Sequence, residues 1–148
     1  MPRIQAAAEI DAPVGIVWDI LTDLSSYPMW NPFIVQAEGE LSVGSTVVVM
    51  VATPGSRPVR FRPKILAFEP QRLLRWRERL LLPGVFDGTH SHELTALGAA
   101  RTRYHQYEDI TGVATPFLGR MLKATEEAFG YMCQAVKTRA ENRARATG

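Results

Sequence analysis

The chain has one cysteine and three histidines in 148 residues, no long apolar run and no block of like charge. A single cysteine excludes an intrachain disulfide. Cys133, spaced from Phe129 and Val136 as on one helix face, reads as a core residue rather than a nucleophile. Zinc-finger spacing and a continuous basic face are both missing, and net charge is +2, which argues against a nucleic-acid partner. Arg139, Arg143 and Arg145 read as a solvated helix end. No stretch reaches the ~18 apolar residues of a membrane span. Met1-Pro2-Arg3-Ile4 opens no apolar leader, so the expectation is a cytoplasmic protein. Apolar residues make up 46% and charged residues 22%, as in ordinary globular proteins, and the expected organisation is one domain over 1–148.

What is present is most concentrated between Ile10 and Phe33. An extended segment meets Asp11-Ala12-Pro13, where proline suits a first helical turn because its missing N–H has no partner to lose there. Val14, Val17, Trp18 and Leu21 follow as one apolar stripe on a short helix. Asp23 or Ser25 is expected to cap a second short turn, with Tyr27-Pro28 and Asn31-Pro32 stopping it.

Glycine and proline then divide the chain into candidate strands at 3–10, 33–41, 45–52, 58–69, 72–81, 85–97 and 101–111. The breaks between the later strands are too short for crossover helices, so an antiparallel meander is expected. From Thr115-Pro116 the period lengthens. Leu118, Met121, Leu122, Thr125, Ala128, Phe129, Met132, Cys133 and Val136 trace one helical face. A helix from 116 to about 141 would be roughly 40 Å long. It needs a partner surface, and a curved sheet is the one available.

Period-2 alternation assigns the sheet faces. Arg75, Arg77 and Arg79 belong in water, which turns Leu74, Trp76, Glu78 and Leu80 inward. By the same parity Phe86, Gly88, His90, His92 and Leu94 point in, as do Tyr104, Gln106, Glu108 and Ile110. In 58–69 the parity reverses: Val59, Phe61 and Ile65 point in, and Arg60, Arg62 and Lys64 point out. Three-residue turns at 82–84 and 98–100 would place Trp76, His90 and Glu108 in one cross-strand row, with Leu74, His92 and Gln106 in the next. The inward face therefore combines aromatic walls with polar groups, which must satisfy one another or line a cavity.

In element order and residues the chain resembles the START/Bet v 1-like (SRPBCC) superfamily, in its polyketide cyclase/dehydrase and lipid-transport branch. The resemblance is carried by Ile10-Asp11-Ala12-Pro13 with Val17-Trp18, by Tyr27-Pro28-Met29-Trp30-Asn31-Pro32, by Gly39-Glu40-Leu41, by Leu73-Leu74-Arg75-Trp76, and by Gly88 to Leu94 and Glu108 to Gly112. It implies an α+β helix-grip fold. Two short helices would follow strand 1, and a seven-stranded antiparallel sheet would curve around the long C-terminal helix over a hydrophobic cavity.

The expected function is binding of a hydrophobic or amphipathic small molecule: a lipid, polyketide or aromatic metabolite. Tyr104, His90 and Glu108 would hold its polar end, and Trp30, Trp76, Phe117 and Met121 its apolar body, with Phe61, Glu78, His92, Gln106 and Thr125 also facing it. The alternative is a cyclase or dehydratase in which His90 and Glu108 transfer protons. A third reading is a co-chaperone-like module, with Arg75, Arg77, Arg79, Arg60, Arg62 and Lys64 meeting an acidic partner. A metal on His90-x-His92 with Glu108 is set aside, because the cupin-like barrel it suggests has no place for the long helix. No cofactor is expected, and the chain is expected to be a monomer or homodimer.

Overall fold

The computed structural model describes residues 2–80 and 82–147, with the Leu80 side chain outside the description. Leu81, the end of the expected 72–81 strand, lies outside the described residues. The elements run β1 (Arg3–Ile10), α1 (Val14–Thr22), a 3₁₀ turn (Leu24–Ser26), α2 (Tyr27–Trp30), β2 (Ile34–Glu38), β3 (Val48–Val51), β4 (Val59–Phe61), β5 (Lys64–Glu69), β6 (Leu73–Leu80), β7 (Phe86–Gly98), β8 (Arg101–Thr111), a 3₁₀ turn (Thr115–Phe117) and α3 (Gly119–Thr147). This is the α+β helix-grip arrangement, a curved antiparallel sheet embracing a long C-terminal helix.

The strands form two sheets rather than one of seven strands: a five-stranded sheet in the order β1-β8-β7-β6-β5 and a three-stranded sheet β2-β3-β4. The expected strand 58–69 is two strands, one in each sheet. Pro63 stands at the break, and proline has no N–H to give a ladder. A register shift between Ile65 and Ala67 then changes the parity of β5, so that both Ile65 and Phe68 reach the interior. Phe68 packs on Trp18 of α1 with ring centroids 5.4 Å apart. Val59, expected inward, is 47% exposed.

Two local expectations change around α1 and α2. Asp23 does not cap a backbone N–H with its side chain; its carboxylate accepts the hydroxyls of Ser25 and Ser26. Tyr27-Pro28 opens α2 instead of ending a helix, because proline is tolerated in a first turn. Asn31 ends α2 in an extended conformation, and its Oδ1 accepts the backbone N–H groups of Phe33 and Ile34.

The central register follows the parity argument. Ile65, Trp76, His90, Glu108 and Ile4 lie side by side across five strands, and Leu74, His92 and Gln106 form the adjacent row. The β7–β8 turn is shorter than expected, with Gly98 opposite Arg101, and a shift between Ala96 and Gly98 restores even-with-even pairing. On the outer face Arg75 Nε donates to Ser91 Oγ at 2.8 Å and Arg75 also donates to the Tyr107 hydroxyl, so Ser91 is outward yet buried.

α3 starts and ends later than expected; its 29 residues span about 43 Å. Its second half buries Ala128, Phe129, Met132, Cys133, Val136 and Ala140 against the sheet and α1. Its first two turns pack less tightly, and that difference leaves room for a cavity.

Candidate functional site

The cavity measures about 150 Å³ and lies between the first turns of α3, the ends of β6–β8 and the three-stranded sheet. Phe33, Val51, Val59, Phe61, Phe86, Met121 and Leu122 form its apolar walls, while Thr53, Ser56, Thr125, Glu78 and Glu108 supply polar groups. Of the residues expected from sequence, Phe61, Glu78, Glu108, Met121 and Thr125 meet here.

Glu78 and Glu108 come from β6 and β8, on either side of Gly88 in β7. Gly88 makes the approach possible: a Cβ there would fall 2.4 Å from Glu108 Oε2 and 2.9 Å from its carboxyl carbon. Trp76 Nε1 donates to Glu78 Oε1 at 3.0 Å and fixes that carboxyl group. Glu108 Oε2 is buried and has no hydrogen-bond partner. Burial pushes both carboxyls above the usual carboxylate range, and Glu108 is pushed further by the neighbouring Glu78 charge. Two carboxylates so close in an apolar pocket favour holding a proton between them.

Behind Glu108 lies a closed polar chain. Gln106 Nε2 donates to the Tyr104 hydroxyl at 3.0 Å and to Cys133 Sγ at 3.7 Å, so its Oε1 accepts from His90 Nε2 at 2.9 Å. The Tyr104 hydroxyl in turn donates to His92 Nδ1 at 2.6 Å. These bonds assign the tautomers: His90 carries its proton on Nε2 and His92 on the partnerless Nε2. Both rings are neutral, since burial lowers His90 to about 4 and His92 well below its ordinary value. The rings stack on each other at 4.5 Å, and His90 stacks on Phe129 at 4.7 Å. Burial raises the Cys133 thiol to about 12, which leaves it an inert core group.

Several expected positions fall elsewhere. Trp76, His90, His92, Tyr104 and Gln106 lie in the buried layer beneath the cavity rather than among its lining residues. Trp30 packs edge-on against Tyr27 and borders an open groove on the outer side of α3 with Gln134, Arg139 and Arg143. Phe117, expected in the wall, is 85% exposed in the 3₁₀ turn before α3. Sequence reasoning missed Phe33, Val51, Thr53, Ser56, Val59, Phe86 and Leu122 as lining residues. Parity already turned Phe86 and Val59 inward, whereas nothing periodic marks Thr53 and Ser56 in their turn.

The comparisons agree with the fold. The sequence matches the family described as polyketide cyclase / dehydrase and lipid transport over residues 1–144. No curated protein matches it. Among solved structures, it is similar to the Zhui aromatase/cyclase from Streptomyces sp. R1128, with 23% identity over 99% of this chain and 98% of that one, at a TM-score of 0.81. A START superfamily protein from Mycobacterium smegmatis is 18% identical over 95% and 98% of the two chains, with a TM-score of 0.71. The di-domain ARO/CYC BexL from the BE-7585A biosynthetic pathway is 14% identical over 95% of this chain but 47% of its own, with a TM-score of 0.73. Identities this low speak to the fold. Among the described residues no helix is long and apolar enough to cross a membrane. Matched along nearly its whole length, the chain belongs to the polyketide cyclase/dehydrase and lipid transport family.

Proposed function

We propose that the protein binds a small hydrophobic or amphipathic molecule with its apolar body between Met121, Phe61 and Phe86, and a hydroxyl or carbonyl oxygen against Glu108 and Glu78. The observation that supports this reading is the cavity itself: apolar walls converging on two carboxyl groups, one of which has an unused oxygen. A cavity of about 150 Å³ accepts roughly one aromatic ring, so a larger ligand inserts one end and leaves the rest at the mouth. The test is competition between phenol and benzene for the cavity, read by calorimetry in the presence of a chelator. Phenol should bind more tightly, and Glu108→Gln should erase the difference by about tenfold. Met121→Trp should abolish binding of both by filling the space. Equal affinity for the two molecules, or binding unaffected by Met121→Trp, would overturn the reading.

The raised carboxyls favour a second reading, a cyclase or dehydratase. A carboxyl that keeps its proton near neutral pH is a general acid for a carbonyl or a departing hydroxyl. The groups in reach of a ligand are Glu108 and Glu78; His90 reaches it only through them. With a poly-β-ketone substrate, Glu108→Gln should remove ring closure or water loss while leaving binding within tenfold. His90→Gln should act less strongly than Glu108→Gln. Product formation that survives Glu108→Gln would exclude this reading.

A further inference from the structure

Glu78, His90 and Glu108 each offer a donor atom, and these atoms lie within 4.8 Å of one another. They stand on three adjacent strands, β6, β7 and β8, in a fixed register. The metal set aside from the sequence was one on His90, His92 and Glu108, and the structure turns His92 to Tyr104 instead. Glu78 takes the place expected of it.

The surroundings have the form that metal ligands require. An imidazole that binds a metal usually donates its other N–H to a carbonyl or carboxylate oxygen, which orients the ring. His90 does so through Nε2 to Gln106 Oε1, and Nδ1 keeps its lone pair. Gln106 is itself held by Tyr104 and Cys133, to both of which its Nε2 donates. A ligating carboxylate is likewise held by a donor to one oxygen, and Trp76 Nε1 supplies this to Glu78. Glu108 Oε2, on a residue only 4% exposed, points to no protein donor. The missing side chain at Gly88 gives that carboxylate its space.

Charge gives the same answer. Two carboxylates and a dication sum to zero, which removes the cost of two like charges in one buried place. One imidazole and two carboxylates form a mixed nitrogen and oxygen set suited to divalent first-row metals. Three protein ligands leave a coordination position open, and here it would face the cavity.

We infer that Glu78, His90 and Glu108 bind a divalent transition-metal cation at the floor of the cavity, with an open position toward its interior. The inference does not rest on the ligand reading: the metal test uses no organic molecule, and the phenol test is done in chelator, so either can fail alone.

Chelator-stripped protein titrated with Zn²⁺ by calorimetry, and with Co²⁺ by visible absorption, tests it. The expected result is one saturable equivalent, with Co²⁺ bands of four- or five-coordinate intensity. Glu108→Gln and His90→Gln should each weaken Zn²⁺ at least about tenfold, while His105→Gln, on the outer face, should change nothing. Glu78→Gln, at the half-buried edge, gives the same readout where a buried variant fails to fold, and Trp76→Phe should weaken the metal without removing a ligand. Absence of a saturable equivalent, or full affinity in folded Glu78→Gln or Glu108→Gln, would overturn the inference.

Discussion

The indole of Trp76 donates to Glu78 two residues further along β6, joining a fully buried core ring to a carboxyl at the cavity. The bond ties the site's geometry to the packing beneath it. Trp76→Phe keeps most of the ring's volume and removes the donor. We expect a loss of about 1–2 kcal/mol in urea unfolding, together with a further rise in the Glu78 pKa, since the indole bond stabilises its charged form. An unchanged carboxyl titration by NMR would show that the bond has no influence on the site.

Gly88→Ala tests the space given to Glu108. Its methyl would sit 2.4 Å from Oε2, and Gly88 has no exotic backbone angle to complicate the result. The expected cost is about 1–3 kcal/mol from overpacking. Because the carboxylate must move, phenol discrimination should fall with it. Double substitution with Glu108→Gln should cost less than the sum of the two, measured by a double-mutant cycle.

Phe129 and Phe117 give a paired packing prediction. Phe129 is fully buried, stacked on His90 and edge-on to Phe33 at 5.3 Å. Phe129→Ala should cost about 3–5 kcal/mol. Phe117→Ala, at an exposed position, should stay within about 0.5 kcal/mol. Comparable midpoints for the two variants would contradict the placement of α3.

Stability should depend on pH through two opposed effects in metal-free protein. His90 titrates at about 4 in the folded chain against 6.5 unfolded, so the unfolded chain binds the extra proton between these values. That contribution is complete above 6.5 and is lost as pH falls through about 4, a span worth about 3 kcal/mol. His92 acts in the same direction. Glu108 and Glu78 act oppositely: their raised values stabilise the folded chain at low pH, and this is lost as pH rises above the ordinary carboxylate range. The wild-type profile should therefore be shallow between about pH 4.5 and 6.5, whereas Glu108→Gln should climb steeply with pH. Parallel profiles in denaturant midpoints would refute the opposition.

The central row was legible because two simple constraints coincide. Three outward arginines fixed the parity of β6, and turns centred near residues 83 and 99 carried that parity to β7 and β8. The sequence did not tell which inward residues meet a cavity and which meet one another. That depends on how far α3 stands off the sheet, and Ala128 and Phe129 close the gap at a point no alternation marks. Trp30 and Phe117 misled for a related reason: each lies in a short turn, where the direction of a side chain is set by one or two backbone angles. The division into two sheets had a signal in Pro63, inside what otherwise read as one strand.

That division has a mechanical result. The floor of the cavity belongs to β6–β8, braced on one side by the Gln106 chain and on the other by Arg75, Ser91 and Tyr107. Its outer wall hangs from β3 and β4, which meet the large sheet at one corner, around the Thr46–Lys64 bridge and the backbone bonds linking residues 44–47 to 63–65. That wall takes no part in the ladder of the main sheet, which runs through β1 and β5–β8. The groups that recognise a polar atom thus stand on the large sheet, while the girth of the space above them is bounded by the small one, joined to the first by that corner and by the packing of Phe33 on Phe129.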